Sequence, residues 1–284
     1  MKVLYITSEA GLDYQDDCLL IGLKELLGSD VVDVNKRSHI YTSYDPVKTS
    51  GLYGMGFTVT RILEDLEIDR ENISNKIKEQ YFDIVVYGSI WRNSDHLEEV
   101  LKFYTVDKIA AIDGEDHVGI HPIYNKGVQY FKRELSDDMG CINPISFAIS
   151  ECKINLNTEK IVDLAFCDPN DRKTYIYTNE LDYYHGYGES RLAHTKKKAG
   201  WDCMRHYEII ANGCIPLFED IQNCPSLTMV GFPKDVCLNV YNDFSKERNV
   251  TDIYDEYSKF FIDNIQSFTT KSLAKYFIDK MINR

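Results

Sequence analysis

Short, nearly continuous apolar runs alternate with amphipathic stretches along the first half of the chain, and this alternation constrains the fold strongly. Runs such as Val3–Ile6 and Phe82–Tyr87 have strand length and are apolar almost throughout. Gly28 ends a stretch in which leucines recur at helical spacing: Leu19, Leu20, Leu23, Leu26 and Leu27. Parallel strands that are covered on both faces by helices give this pattern. The sequence therefore predicts an α/β fold with doubly wound parallel sheets.

The length of 284 residues and a change in sequence pattern near residues 143–160 predict two domains. We assign residues 1–152 and 153–284 to two Rossmann-like lobes that face a central cleft. In the first lobe the pattern predicts further strands at Val31–Val34, Lys108–Ile112 and Pro144–Ile149, and a long surface loop over residues 36–60. In the second lobe it predicts strands at residues 161–167, 191–196 and 214–218, and helices at residues 180–187, 203–212, 252–265 and 271–282.

The formal net charge of -13 argues against nucleic acid or an anionic membrane as a partner, because both require a positive field. The chain lacks a signal-peptide pattern and any apolar window of membrane-spanning length. Its eight cysteines include no CxxC pair, which favours reduced thiols in a cytosolic protein.

Positive charge is concentrated in one segment of this acidic chain. Five basic residues fall within fifteen positions: Arg191, Lys196, Lys197, Lys198 and Arg205. We expect Asp202 to be the N-cap of the helix that follows, which would place an anion-binding helix start beside these cations. Arg205 in the first turn could hold a diphosphate, and Glu208 on the same face could accept hydrogen bonds from ribose hydroxyls. The alternative is a solvated face with a weak surface salt bridge.

The string DCMRHYEIIANGCIP resembles the donor-binding motif of exostosin-like glycosyltransferases, D-x-x-R-x-x-E-x-x-x-x-G-C-I-P-V. Asp202, Arg205, Glu208 and the run Gly213–Pro216 match in register, and Leu217 replaces the usual Val. Ser190 also fits that family's layout. The resemblance covers about 35 residues closely, and the first lobe has no comparable motif.

This resemblance implies a GT-B glycosyltransferase, a hexosyl- or pentosyltransferase without a cofactor. Because animal members of the family carry a membrane anchor and this sequence shows none, we expect a bacterial or viral enzyme that acts in the cytoplasm. Its co-substrate would be a nucleoside-diphosphate sugar, with UDP favoured, and its acceptor a glycan hydroxyl. The donor would be bound in the second lobe by Glu208 at the ribose, Arg205 and Lys197 at the diphosphate, and residues 213–216 around the base. Retaining enzymes of this type often carry a second Glu eight positions before the first, and here that position is Gly200. An inverting reaction is therefore favoured.

An inverting transfer needs a base near the acceptor, and two acidic groups follow predicted strands of the first lobe. We select Asp13 from the first group and Glu115 from the second, which spans Asp113–His117. Crowded carboxylates are a recognised feature of acid/base sites. The alternatives are that Asp16 and Asp17 cap a helix and that the second group is a solvated acidic loop or supports the site indirectly.

Metal chemistry is the rival interpretation of these carboxylates. No short D-x-D follows a strand, apart from the D-G-E variant at residues 113–115, so we predict a metal-independent reaction. Two other functions remain open: a noncatalytic nucleotide-sugar or glycan-binding protein, and an unrelated two-lobed α/β protein such as a periplasmic-type sensor.

Overall fold

The first half of the chain builds a six-stranded sheet in which every strand is parallel to its neighbours. The computed structural model describes residues 1–8, 11–139 and 141–283. The strands are β1 (Val3–Ile6), β2 (Val31–Val34), β3 (Ile84–Tyr87), β4 (Ile109–Asp113), β5 (Gln129–Lys132) and β6 (Asn143–Pro144), in the spatial order β2-β1-β3-β4-β5-β6. Strands β1, β3, β4 and β5 are buried along their whole length, which explains the continuous apolar runs of β1, β3 and β4.

Helices cover both faces of this sheet. The helices of this half are α1 (Tyr14–Leu27), α2 (Ile73–Lys78) and α3 (Leu97–Phe103). Alternate residues of β1 belong to different cores: Val3 and Tyr5 pack with α1, whereas Leu4 and Ile6 pack with α2 and α3. The predicted α/β fold with parallel sheets is confirmed.

The second half of the chain builds a smaller parallel sheet of three strands. They are β7 (Val162–Leu164), β8 (Ser190–Thr195) and β9 (Ile215–Phe218), joined by α4 (Glu180–Gly188) and α5 (Met204–Ala211). Two further helices, α6 (Lys234–Ser245) and α7 (Val250–Asp263), pack against the core of this sheet. The sequence analysis missed α6, because only Cys237 and Val240 of this polar helix are buried.

The last helix, α8 (Thr270–Ile282), returns to the first sheet and packs along α1. Leu273, Ala274 and Phe277 of α8 lie in the same core as α1. Gly22 of α1 permits this approach, since a side chain there would overlap the carbonyl oxygen of Thr270. The sequence-based boundary placed residues 153–284 in the second lobe, whereas packing places α8 with the first sheet.

Two predicted elements of the first half were wrong in extent. Residues 144–149 were expected to form a strand, but only Asn143 and Pro144 pair with β5. The supposed surface loop at residues 36–60 contains short 3-10 turns and buried side chains, including Ile40, Tyr41 and Thr58. All eight cysteines are free thiols. Within the described ranges, no helix is long and apolar enough to span a membrane.

Candidate functional site

A cavity of about 830 Å³ lies where the carboxyl ends of both sheets meet. From the first half, its wall includes residues 11–14 after β1, 114–116 after β4, Arg133 after β5, and the segment 51–57. From the second half, it includes Cys167, Tyr175 and Tyr177 after β7, and residues 198–205 and Glu208 after β8. Loops that follow parallel strands are the usual location of ligand sites in such folds.

Helix α5 begins at this cavity, but Asp202 does not cap it. The N-cap is Cys203, which makes no side-chain capping bond. The Asp202 carboxylate instead accepts hydrogen bonds from the Phe147 backbone N–H at 2.7 Å and the Tyr207 hydroxyl at 3.0 Å. Burial raises the pKa of Asp202 to about 6. The capping prediction was wrong because the Asp202 carboxylate bonds to Phe147, in the segment that follows β6, and to Tyr207 of α5.

Arg205 is a buried cation without a matching anion. Only 6% of the residue is exposed, and its Nη2 donates to the Tyr175 hydroxyl at 2.9 Å. Its Nε and Nη1 have no hydrogen-bond partner, and no carboxylate of the described residues lies within 4.0 Å of the guanidinium. The alternative of a surface salt bridge with Glu208 is therefore wrong. Buried donors are nearly always satisfied, so this guanidinium retains the capacity to bind an anion.

Glu208 faces the same cavity one helical turn later. Its Oε2 accepts a hydrogen bond from the Tyr183 hydroxyl at 2.7 Å, and its Oε1 accepts one from the Thr58 hydroxyl. Burial raises the pKa of Glu208, while these two donors and Arg205 oppose that shift. Thus a hydrogen-bond acceptor and a buried cation lie on one face of α5.

The two predicted base candidates, Asp13 and Glu115, also reach the cavity wall. Arg92 lies between them, with its Nη1 3.0 Å from Asp13 and its Nε 3.0 Å from Glu115. Asp13 is the N-cap of α1 and accepts from the backbone N–H of Gln15 and Asp16. Asp16 and Asp17 therefore do not cap α1, contrary to the alternative. They are buried in its first turn instead.

Asp113 at the end of β4 and the acidic residues that follow it each lie beside a cation. Asp113 is fully buried and lies 3.0 Å from Lys132, while Asp116 pairs with Arg133 and Glu115 with Arg92. Each carboxylate of the predicted cluster therefore has a cationic partner, and the buried Asp113 does not belong to a solvated loop. Strand β5 supplies Lys132 and leads directly to Arg133, and the sequence analysis missed that strand.

Four predicted donor residues do not reach the cavity. Ser190, at the amino end of β8, donates to the Gly186 carbonyl oxygen at 2.7 Å. Gly213, with φ +63°, ends α5, and Pro216 pairs with β8 inside β9; both lie away from the carboxyl edge. Lys197 is exposed, with its Nζ 5.1 Å from the Trp201 ring. Lys198 lines the cavity in its place.

Sequence reasoning missed three contributors to the site. Arg133 donates to the carbonyl oxygens of Gly114 and Asp202, and so links the loop after β4 to the start of α5. Thr58 and Tyr183 hold Glu208. The sequence around Thr58 is rich in glycine and helix α4 is rich in tyrosine, but neither feature identifies Glu208 as a partner.

His206 allows a prediction about acid stability. Its ring is buried, donates from Nε2 to the Trp201 carbonyl oxygen at 2.9 Å and accepts at Nδ1 from the Thr195 hydroxyl at 2.8 Å. Burial lowers the pKa of His206 to about 3. A lowered histidine pKa means that this contribution to stability is complete above about pH 6.5 and is lost as the pH falls toward about 3.

We therefore expect His206→Gln to reduce the acid sensitivity of folding. Relative to this variant, the free energy of unfolding of the unmodified protein should fall by about 1.4 kcal/mol per pH unit below pH 6.5. Denaturant titrations at pH 7, 6, 5 and 4 measure this difference. His185→Gln, at an exposed position, should leave the slope unchanged. Parallel pH curves for the unmodified protein and His206→Gln would contradict the assignment.

Within the described ranges, no cluster of three His, Cys, Asp or Glu side chains is arranged to hold a metal ion. No family model matches the chain, and no curated protein matches it. Among solved structures, the chain is similar to Anabaena Alr3699/HepE in complex with UDP, at 8% identity over 99% of each chain and a TM-score of 0.45. At this level the similarity carries no weight for the function of this chain.

Proposed function

We propose that the chain is a glycosyltransferase of the two-lobed GT-B type that binds a nucleoside-diphosphate sugar in the cavity, with UDP favoured, and transfers the sugar to a glycan hydroxyl. The observation that carries this proposal is the buried guanidinium of Arg205, a residue of the cavity wall, two of whose donors have no partner among the described residues. A guanidinium offers parallel N–H groups that match phosphate oxygens. We expect a diphosphate in the cavity to bind this guanidinium.

The position of Glu208 supports a nucleoside on this diphosphate. Three helical residues after Arg205 correspond to a rise of about 4.5 Å, comparable to the step from a phosphate to its ribose. The Glu208 carboxylate can accept hydrogen bonds from the two vicinal ribose hydroxyls. The tyrosines on this side of the cavity, Tyr175 and Tyr177, offer apolar faces to the remaining part of the nucleoside.

The proposal includes metal-independent, inverting transfer in the cytoplasm. Arg205 and Lys198 would stabilise the leaving diphosphate, as a metal ion does elsewhere. The absence of a second Glu at position 200 supports inversion, and a side chain there would overlap Glu134, Arg133 and Asp116. The eight free thiols fit a reducing compartment.

We propose Glu115 as the base. Asp13 holds two backbone N–H groups in addition to Arg92, and these bonds fix its carboxylate as a helix cap. Glu115 is held by Arg92 alone among the described side chains and is more exposed, at 26% of its side chain against 7% for Asp13. An acceptor hydroxyl can therefore displace Arg92 from Glu115 with less disruption.

The pairing of both carboxylates with Arg92 also favours a second candidate function, a noncatalytic nucleotide-sugar-binding protein. A carboxylate that stays bound to Arg92 would not take a proton from the acceptor. Both functions predict nucleotide binding, so turnover of a nucleotide-sugar donor is the property that distinguishes them.

The test is to incubate the protein with a panel of UDP- and GDP-sugars and follow release of the nucleoside diphosphate, with and without glycan acceptors. We expect Glu115→Gln to lower turnover by about 10²–10⁴-fold while UDP binding is retained. Asp13→Asn, the matched control, should mainly lower thermal stability. Nucleotide binding without turnover of any donor would favour the binding protein, and absence of both would contradict the proposal.

A further inference from the structure

Thr58 connects the first half of the chain to the proposed ribose-binding carboxylate. It follows the cavity segment 51–57, between β2 and α2, and is 1% exposed. Its hydroxyl donates to Glu208 Oε1, a contact between residues 150 positions apart. Within the described ranges, this is the hydrogen bond that joins Glu208 to the first half of the chain.

The bonds around Glu208 have a fixed direction. An ionised carboxylate only accepts, so the single hydrogen of the Thr58 hydroxyl points to Glu208. The Tyr184 hydroxyl, 2.8 Å from Thr58 Oγ1, must then donate to Thr58. Tyr183 donates to the other carboxylate oxygen. Each carboxylate oxygen keeps a free lone pair, and the plane of the carboxylate is fixed from two sides.

The backbone at Thr58 is held in an unfavourable conformation. Its φ of +79° lies in the left-handed region, which a β-branched residue rarely adopts. The Thr58 backbone N–H donates to Glu180 of α4, which also pairs with Lys153, and the preceding Phe57 ring lies 5.5 Å from Tyr183. Such strain persists only where the surrounding contacts impose it and is concentrated at functional sites.

We propose that Thr58 is a positioning residue for Glu208, so that the ribose is recognised by a carboxylate oriented from the other half of the chain. This inference rests on the proposed function. Its consequence is that docking of the segment 51–58 and binding of the nucleoside stabilise each other. The diphosphate contacts of Arg205 do not depend on Thr58.

The charges around Glu208 determine how a loss of this hydroxyl would be observed. Arg205 is the cation that favours the ionised form, and Glu180 is the like charge that opposes it. The other titratable groups facing Glu208 are Tyr14, Tyr183, Tyr184, Tyr187, Cys167 and Cys203. Removal of the Thr58 donor raises the pKa of Glu208 further. When the pH is lowered, a ligand that needs the ionised carboxylate is therefore lost at a higher pH than in the unmodified protein.

The experiment compares Thr58→Val, which keeps the shape and removes the hydroxyl, with Thr58→Ser, which keeps the hydroxyl. Calorimetric titrations would use UDP, 2′-deoxy-UDP and pyrophosphate between pH 5 and pH 8. We expect Thr58→Val to weaken UDP binding roughly tenfold, as for a lost hydrogen bond to a charged group. Its effect on 2′-deoxy-UDP should be smaller, and its effect on pyrophosphate negligible. The pH below which UDP binding is lost should be higher in Thr58→Val than in the unmodified protein. In Thr58→Ser it should be unchanged.

Unchanged UDP affinity and pH limit in Thr58→Val would overturn the inference. So would an equal loss in Thr58→Ser, or an equal loss of pyrophosphate binding, since either result indicates a structural role. Retained pyrophosphate binding confirms that the variant is folded. If the unmodified protein binds pyrophosphate but not UDP, the proposed function itself fails, and the inference fails with it.

Discussion

Replacement of Arg205 by Met should abolish nucleotide binding without destabilising the protein. Its two unpartnered donors, Nε and Nη1, would each make a charge-assisted hydrogen bond to the diphosphate, worth about 1.5–3 kcal/mol. Loss of both should raise the Kd for UDP by at least roughly a hundredfold. In the unliganded protein this guanidinium has no carboxylate within 4.0 Å but favours the ionised form of Glu208, and these opposing effects should leave the melting temperature nearly unchanged in Arg205→Met. Calorimetric titration and thermal unfolding measure the two effects.

Lys197→Met provides the matched control. The family resemblance implies that Lys197 binds the diphosphate, whereas the structure places it outside the cavity, exposed beside Trp201. We expect this variant to change UDP affinity by less than about threefold, the range of a screened surface charge. A loss at Lys197 that matches the loss at Arg205 would favour the motif over the geometry. Undiminished UDP binding by Arg205→Met would contradict the site.

Replacement of Arg133 by Met should have the largest effect on stability. Arg133 is 2% exposed, and its guanidinium bonds to the Gly114 and Asp202 carbonyl oxygens, to Glu134 Oε1 at 2.8 Å and to Asp116. Removal takes the cation from the buried Glu134 carboxylate, which keeps the Asp202 backbone N–H as a donor, and removes the Arg133 donor from two carbonyl oxygens. We expect a loss of about 3–5 kcal/mol in the free energy of unfolding, as for a broken buried ion pair.

Denaturant unfolding of Arg133→Met would be compared with that of Arg191→Met. Arg191 pairs with the exposed Asp163, so its removal should cost less than about 1 kcal/mol. The stability of Arg133→Lys should lie between those of the two Met variants, because an ammonium group cannot reproduce all the hydrogen bonds of the guanidinium. Equal stability of Arg133→Met and Arg191→Met would show that Arg133 does not hold the two sheets together.

Local sequence pattern predicted the elements whose burial is uniform. β1, β3, β4 and the helices around Leu20 and Tyr207 follow from apolar runs and helical spacing. β5 was missed because two of its four residues, Gln129 and Lys132, are polar, and their burial depends on partners elsewhere in the chain. α6 was missed because most of its surface is exposed.

Sequence pattern predicted only part of the candidate site, because it captures contacts within one element and misses contacts between distant segments. Arg205 and Glu208 lie on one turn of one helix, so their spacing alone places them together. Ser190, Gly213 and Pro216 also fit the family resemblance but lie away from the carboxyl edge of the sheet, which spacing alone does not reveal. The contacts of Thr58 with Glu208 and of Arg133 with Asp202 join distant segments, and no local pattern encodes them.

The most direct test of the account is a crystal structure of the protein with UDP. We expect the diphosphate oxygens within hydrogen-bond distance of Arg205 Nε and Nη1, and the ribose hydroxyls at the Glu208 carboxylate. UDP bound elsewhere on the protein, or bound in the cavity with Arg205 still unpartnered, would contradict it.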